Sequence, residues 1–128
     1  MAVVEMTSSN IEATINNNKI VVIDFWAPWC GPCKQFGPIF EESSTKNPDI
    51  VHAKVNTDVE QEIAGSFEIK SIPTVAIFKE QTLIFQEAGS LPEEALEQIL
   101  AQVKTLDMAQ IREEIRKAEM EQGKGDKT

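Results

Sequence analysis

Two cysteines lie two residues apart in the stretch Asp24-Phe25-Trp26-Ala27-Pro28-Trp29-Cys30-Gly31-Pro32-Cys33-Lys34. Residues 19–26, which lead into this stretch, are nearly all apolar and show no alternation, and this pattern predicts a strand buried on both faces. Residues 34–46 predict a helix that is kinked at Pro38. A buried strand that leads directly into a helix is typical of an α/β fold with right-handed parallel crossovers.

The positions of the two cysteines give them different chemistry. Cys30 lies where the helix is expected to begin, and the unpaired N–H groups and helix dipole at such a position stabilise an anion and lower the pKa of a thiol. Cys33 follows about one helical turn later, so its sulfur can reach that of Cys30 and form a disulfide. Pro32 suits an early helical position and stiffens the loop, while Gly31 leaves the attacking sulfur accessible to a bulky partner.

Other uses of a cysteine pair stay open. A structural zinc site normally has four ligands, and beyond the two cysteines the chain has one histidine, His52. We therefore predict no metal within one chain, although a zinc ion shared between two chains is an alternative, as is a pair of inert core cysteines. His52 is more readily interpreted as a strand histidine with its own hydrogen bonds than as the partner of a catalytic cysteine.

The whole chain predicts the element order β-α-β-α-β-α-β-β-α, followed by one more helix. Serine and aspartate residues three positions before glutamate or glutamine predict helix caps at Ser9, Asp58, Ser90 and Asp107. A hairpin at Lys79–Thr82 joins the last two strands and adds an antiparallel pair to the parallel strands. The predicted division is an α/β domain at 1–106, an appended amphipathic helix at 107–121 and a disordered tail at 122–128.

The appended helix carries one narrow apolar stripe, formed by Met108, Ile111, Ile115 and Ala118. A helix of this length is marginal in water by itself, so we expect the stripe to be buried. Packing against the chain's own body is the favoured interpretation, because Leu106 can anchor the turn before the helix. A second copy of the chain or a target protein is the alternative partner.

Composition excludes several classes of function. The chain has 128 residues, of which 41% are hydrophobic and 26% charged, and these values are typical of a globular domain. The 12 basic and 21 acidic residues give a net charge of −9, which argues against binding to a nucleic-acid backbone. No apolar run is long enough to span a membrane, and the first residues lack the basic and apolar regions of a signal peptide. We therefore expect a cytoplasmic protein that binds neither nucleic acid nor membrane.

The stretch around the cysteines resembles the active-site signature of the thioredoxin family. Pro38, Lys54, the triplet Ile72-Pro73-Thr74 and Gly89 follow in the order and spacing that this family shows. The resemblance extends over about residues 3–106 and implies the thioredoxin fold, an α/β architecture with a central mixed sheet flanked by helices. The Gly-Pro pair between the cysteines implies a reductase. Two features depart from the family pattern: the hairpin lacks the usual glycine, which leaves its turn type open, and the appended helix lies beyond the family's usual end.

The resemblance also implies roles for two charged residues. Asp24 ends an apolar strand, so it is expected to be buried with a raised pKa, and the family pattern makes it the proton acceptor for Cys33. Lys54 is similar to a family lysine that lies near this carboxylate. The alternatives are a polar strand end for Asp24 and an ordinary exposed strand lysine for Lys54.

Four further residues are implied in substrate binding. The family pattern implies a cis peptide bond before Pro73, facing the cysteines, with the backbone of Ile72 free to pair with an extended substrate. The alternative is a trans proline at the start of a strand. Trp29 is expected to be an exposed docking surface beside the nucleophile, and Gly89 belongs to the same implied surface. Trp26, by contrast, is expected to pack under the loop.

These features predict a general protein-disulfide reductase. The thiolate of Cys30 attacks a disulfide in a partner protein, and Cys33 resolves the mixed disulfide, which leaves an oxidised Cys30–Cys33 pair and a reduced partner. The resemblance implies re-reduction by an NADPH-dependent thioredoxin reductase, whose NADPH and FAD are bound on that partner, so no cofactor is expected on this chain. We expect a monomer. A non-catalytic interaction module and an extracytoplasmic thiol–disulfide protein are the alternatives.

Overall fold

The computed structural model describes residues 3–126 of the chain, with the backbone alone from 122 to 126. In this part of the chain, strands and helices follow one another in the predicted order. The strands are β1 (Val3–Glu5), β2 (Ile20–Trp26), β3 (Val51–Asn56), β4 (Thr74–Lys79) and β5 (Thr82–Ala88). The helices are α1 (Ile11–Asn16), α2 (Gly31–Lys46), α3 (Gln61–Ser66), α4 (Glu93–Thr105) and α5 (Met108–Asp126).

The strands form one mixed sheet in the spatial order β1-β3-β2-β4-β5. β3 pairs in parallel with both β1 and β2, whereas β4 lies antiparallel to both β2 and β5. The central position of β2 explains its sequence, because residues 20–25 are all buried beneath helices on both faces. α2 and α4 pack on one face of the sheet, and α1 and α3 pack on the other. The predicted parallel strands with a C-terminal antiparallel hairpin are confirmed.

Three of the four predicted helix caps are absent. The N-caps of α1, α3 and α4 are Asn10, Glu60 and Pro92, and none of these residues makes a capping side-chain bond. The three helices begin too far along the chain for Ser9, Asp58 or Ser90 to cap them, since a residue caps only the helix that begins immediately after it. The box at Asp107 is confirmed for its first half, because its Oδ1 accepts the backbone N–H of Gln110 across 3.2 Å.

The hairpin between β4 and β5 has a two-residue turn in which both residues have positive φ. Glu80 and Gln81 have φ values of 50° and 70°, the backbone of a type I′ turn, in which glycine or asparagine is preferred. Two contacts hold Glu80 there: its N–H donates to the carbonyl of Lys19 across 2.7 Å, and its carboxylate accepts from Arg112 across 3.2 Å. The sequence left the turn type open. Contacts from Lys19, the residue before β2, and from Arg112 of α5 therefore fix it.

A buried lysine fixes the end of α4. Lys79 is 2% exposed, and its Nζ donates to the carbonyl oxygens of Val103, Lys104 and Leu106 at 2.7, 3.1 and 3.1 Å. The last carbonyls of a helix lack partners within the helix, and a cation there is also favoured by the helix dipole. This contact, which the sequence analysis did not predict, determines where the chain leaves α4 and turns toward α5.

Only the first turns of α5 pack against the body of the protein. Met108 is buried and Ile111 is half-buried, whereas Ile115 is 38% exposed and Ala118 is exposed. The prediction that the chain's own body covers the whole stripe is therefore wrong beyond Ile111. The physical reason is position: α5 passes the end of the sheet at the β4–β5 turn, where Arg112 contacts that turn, and continues past the body.

The described helix α5 is longer than the helix predicted at 107–121. α5 continues to Asp126, beyond the predicted end at Glu121, and residues 127–128 lie outside the described part of the chain. Gly123 and Gly125 lower the helix propensity, but each keeps its backbone N–H, so they weaken a helix without stopping one that is already propagating. At 19 residues α5 is long, yet no helix within residues 3–126 is both long and apolar enough to cross a membrane.

Candidate active site

The cysteine pair lies where β2 leads into α2. β2 ends at Trp26, and Cys30 is the N-cap of α2, which begins at Gly31. A disulfide joins Cys30 to Cys33, and their Cα atoms are 5.2 Å apart. The backbone N–H of Cys33 donates a hydrogen bond to the sulfur of Cys30 across 3.2 Å, so this sulfur takes the place of the usual N-cap oxygen. The predicted pairing and the position of Cys30 at the start of the helix are both confirmed.

One side of the disulfide is open to a partner. Both cysteines are nearly buried, but Gly31 and Pro32 between them are exposed. A Cβ atom added to Gly31 would meet no other atom within 4 Å, so this side of the loop faces open space. Pro32 is the second residue of α2, where its missing N–H costs no helical hydrogen bond.

A second segment lies against the sulfur of Cys30. The peptide bond between Ile72 and Pro73 is cis, as the resemblance implied, and the trans alternative is wrong. The carbonyl oxygen of Ile72 is 3.6 Å from the sulfur of Cys30. β4 begins only at Thr74, so the proline precedes the ladder that its missing N–H would interrupt. The structure thus brings two segments, 42 residues apart in the chain, to one sulfur.

Gly89 supports this segment from the end of β5. Its N–H donates to the carbonyl oxygen of Pro73 across 2.7 Å. Its φ is +110°, a backbone conformation that residues with a side chain rarely adopt. The position therefore needs glycine for its backbone, and the structure gives Gly89 a supporting contact to Pro73 that the sequence analysis did not foresee.

Trp29 is a large exposed apolar side chain next to Cys30, with 69% of its surface accessible. Its Nε1–H donates to both carboxylate oxygens of Asp58, at 3.2 and 3.1 Å, which orients the ring. A groove of about 320 Å³ begins at this ring and is lined by Trp29, Thr57, Ala64, Ile69, Lys70, Ser71 and Ile72. The exposed ring was predicted from the sequence, but its bond to Asp58 was not, because no local pattern links residues 29 positions apart.

Asp24 is buried near the end of β2, as predicted. Its side chain is on the face of the sheet that α2 covers, and the residue is 1% exposed. Burial raises the pKa of this carboxyl to about 7, while the positive charge of Lys54 opposes the rise. One carboxylate oxygen, Oδ1, has no hydrogen-bond partner in the described part of the chain. A buried carboxyl with such a pKa can gain or lose a proton near neutral pH.

Lys54 is the neighbour of Asp24 on the adjacent strand. The Cα atoms of the two residues are register partners in the parallel pair of β2 and β3. Lys54 is half-buried, and its Nζ lies 4.4 Å from the centre of the Trp26 ring. The structure therefore brings Lys54 and Asp24 together, whereas the alternative of an ordinary exposed lysine is wrong.

His52 plays no part in this site. It is fully buried, its Nδ1 is 3.0 Å from the carbonyl oxygen of Ile50 and its Nε2 is 2.9 Å from the hydroxyl of Ser43. A carbonyl can only accept, so Nδ1 carries the proton and Nε2 accepts from the serine. Burial lowers the pKa of the ring, which favours this neutral form. Within residues 3–126 no cluster of three or more metal-ligating side chains occurs, and the cysteine sulfurs are bonded to each other.

Comparison with known proteins agrees with this geometry. The family model described as Thioredoxin matches residues 2–102. The chain belongs to the thioredoxin family. A protein of Streptomyces coelicolor whose name assigns it provisionally as thioredoxin 2 is 49% identical over 119 residues, which are 93% of this chain and 86% of that protein. Since the family model ends at residue 102, the similarity to this relative continues into the segment that holds α5.

Solved thioredoxin structures share the fold. Oxidised mitochondrial thioredoxin 3 from Saccharomyces cerevisiae superposes with a TM-score of 0.73 at 31% identity, covering 78% of this chain and 94% of that chain. A chain from a study of how a yeast mitochondrial 1-Cys peroxiredoxin thiol is resolved through glutathione and thioredoxin systems superposes with a TM-score of 0.73 at 29% identity. This second superposition covers 79% of the present chain and 95% of the yeast chain. The chain whose structure is described above is therefore a thiol–disulfide oxidoreductase that reduces disulfides, and Cys30 and Cys33 are its redox-active pair.

Proposed function

We propose that Cys30 is the nucleophile and Cys33 the resolving residue in the reduction of protein disulfides. The thiolate of Cys30 attacks one sulfur of a substrate disulfide, and the other substrate sulfur leaves as a thiolate that takes up a proton. Cys33 then loses its proton and attacks the sulfur of Cys30. This step releases the second substrate thiol and forms the Cys30–Cys33 disulfide, so two electrons pass to the substrate.

One observation carries this assignment of roles. The sulfur of Cys30 accepts the N–H of Cys33 at the start of α2, whereas Cys33 lies within the first helical turn. Backbone N–H groups at a helix start stabilise a negative charge on the atom they face. The same sulfur lies 3.6 Å from the carbonyl oxygen of Ile72, and Ile72 is one of the residues that line the groove beside Trp29.

Asp24 accepts the proton of Cys33 in the second step. Its burial, its pKa of about 7 and its unpartnered Oδ1 support this role. Asp24→Asn keeps the size of the side chain and removes the base, so the resolving step is expected to slow more than the initial attack. Rapid-mixing kinetics on a model disulfide separates the two steps. Equal rates in the variant and the native protein between pH 6 and pH 8 would leave Asp24 a structural role only.

The groove binds substrate as an extended segment. The backbone of Ile72 is available for pairing with such a segment, Trp29 contacts its apolar side chains, and Gly89 holds the Pro73 loop in position. The substrates are disulfide-containing proteins in general, because backbone pairing next to one apolar ring selects weakly among side chains. The yeast study whose chain superposes on this protein concerns one such protein class, a peroxiredoxin.

The oxidised protein is re-reduced by an NADPH-dependent thioredoxin reductase, which carries the NADPH and FAD. The family to which the chain belongs supports this partner, and the reaction on this chain requires only its two sulfur atoms. The protein acts as a monomer in the cytoplasm, where cellular thiols are kept reduced and a reductase is of use.

The test is insulin reduction with NADPH and a bacterial thioredoxin reductase. We expect NADPH oxidation that requires insulin and this protein together, and none with Cys30→Ser. Dithiothreitol as the alternative reductant separates the two parts of the proposal. Insulin reduction with dithiothreitol but not with the reductase and NADPH would refute the reductase partner and leave the reductive chemistry in place.

A further inference from the structure

Asp24 and Lys54 are neighbours that do not form an ion pair. Their Cα atoms are register partners on β2 and β3, yet none of the ion pairs among the described residues joins them. The ammonium of Lys54 lies instead over the ring of Trp26, 4.4 Å from its centre, and Oδ1 of Asp24 accepts no hydrogen bond. Asp24 and Trp26 are two residues apart on β2, so their side chains point to the same face of the sheet.

We propose that Trp26 is a positioning residue, whose ring holds the Lys54 ammonium beside Asp24 but off its carboxylate, so that Oδ1 stays free for the proton of Cys33. A tryptophan face is the strongest aromatic partner for a cation, and the attraction increases where water is partly excluded. Lys54 and Trp26 are both half-buried, which places this contact in such surroundings. The inference rests on the proposed role of Asp24 and adds a function for the ring.

Asp24 would be a poorer base if the Lys54 ammonium were either in direct contact with its carboxylate or far from it. A direct ion pair would occupy the carboxylate and hold it ionised at a lower pH, which would weaken it as a base. Without a nearby cation, burial would keep the carboxyl protonated at neutral pH, and it could not accept a proton. An ammonium that acts through space avoids both extremes, because burial still raises the pKa of Asp24 while Lys54 limits the rise.

The surroundings of Asp24 leave few other charges to consider. On β4 its register partner is the apolar Val75. The buried face of α2 presents Cys33, Phe36 and Phe40, of which only Cys33 can titrate, and it does not do so in the disulfide. On β3 the only other titratable group on this face is His52, which is hydrogen-bonded at both ring nitrogens. Lys54 is therefore the cation through which Trp26 can act.

The experiment measures the titration of the Asp24 carboxyl by 13C NMR in the oxidised protein, where neither cysteine titrates. Trp26→Leu removes the ring face, and the ammonium is then drawn into water because hydration favours it. We expect the pKa of Asp24 to rise by about half to one unit, a three- to tenfold change in proton affinity. Trp26→Phe keeps an aromatic face and is expected to restore most of the native value.

A double-variant comparison separates this role from simple packing. In a Lys54→Met background, Trp26→Leu is expected to cause no further shift, because the cation is already absent. An unchanged titration in Trp26→Leu, or a shift of the same size in the Lys54→Met background, would overturn the proposal. If Asp24 is not the proton acceptor for Cys33, the result is different. Asp24→Asn would then leave the rate of the resolving step unchanged, whatever the titrations show.

Discussion

The backbone N–H of Cys33 donates a hydrogen bond to the sulfur of Cys30, and the reverse contact does not occur. The two sulfur atoms are joined in the oxidised protein, yet the first turn of α2 treats them differently. Cys30 faces the N–H groups at the helix start, which stabilise a thiolate, whereas Cys33 is part of the helix itself. The assignment of the nucleophile rests on this asymmetry.

The first prediction is that Cys30 is the cysteine that reacts with an alkylating agent at neutral pH. Limiting iodoacetamide on the reduced protein, followed by mass spectrometry of peptides, is expected to place the label on Cys30, because the thiolate is the reactive form. Cys33→Ser provides the matched control and should be labelled at a similar rate. Preferential labelling of Cys33 in the native protein would reverse the two roles.

The second prediction concerns the dependence of stability on pH. In the unfolded chain the Asp24 carboxyl titrates near 3.9, whereas burial raises its pKa to about 7 in the folded protein. Between these values the folded state binds more protons, so the free energy of unfolding falls as the pH rises from about 4 to about 7. Asp24→Asn removes this loss, and above pH 7 it is expected to raise the free energy of unfolding by up to about 4 kcal/mol.

Urea unfolding of the oxidised proteins at pH 4 and pH 8 tests this expectation. Asp49→Asn is the control, since it removes an aspartate carboxylate that is largely exposed. If the free energy of unfolding changes between pH 4 and pH 8 by the same amount in the native protein and in Asp24→Asn, then Asp24 is not the group responsible for the change.

The third prediction concerns Lys79, which caps α4. Lys79→Met keeps the apolar stem but leaves three carbonyl oxygens without their donor, among them that of Val103. The expected loss of unfolding free energy is about 2–4 kcal/mol, because hydrogen bonds to a charged group are strong and the site is buried. Lys19→Met, at an exposed position, should change stability by less than about 0.5 kcal/mol. Equal effects of the two substitutions in urea unfolding would contradict the capping role.

The fourth prediction concerns α5. Truncation after Leu106 removes the buried Met108 and the contact of Arg112 with Glu80, so the free energy of unfolding is expected to fall by about 1–3 kcal/mol. Insulin reduction with dithiothreitol should remain close to that of the full chain, since every redox residue lies at or before Gly89. Met108→Ala in the full chain should reproduce much of the loss in stability. A truncated protein that is folded but inactive would place α5 in the catalytic machinery.

The sequence predicted those features whose signal is local. β2 was recognised because a central strand needs apolar residues on both faces, and the order of all the elements followed from similar short patterns. The position of Cys30 at the start of α2 followed from its place between a buried strand and a predicted helix. The resemblance to thioredoxins supplied the cis bond at Pro73, which no local pattern distinguishes from a trans proline at a strand start.

Contacts between distant segments could not be predicted in this way. The bond of Trp29 to Asp58 and the contacts of Lys79 with the end of α4 join residues whose separation only the fold removes. The exposed second half of α5 has the same cause, because a periodic apolar stripe indicates a helix face but not what covers it. The absent caps at Ser9 and Ser90 show that a shift of one or two residues in a helix start decides whether a serine caps it.

The most direct test of the central claim is a single-turnover reaction without any other reductant. The protein is reduced, freed of reductant and mixed with excess insulin, and mass spectrometry then follows the masses of both proteins. We expect each chain to lose two hydrogens as its Cys30–Cys33 disulfide forms while one insulin disulfide opens, and Cys33→Ser to stop at a covalent adduct through Cys30. Insulin disulfides that stay intact, or an adduct through the other cysteine in Cys30→Ser instead, would contradict the account.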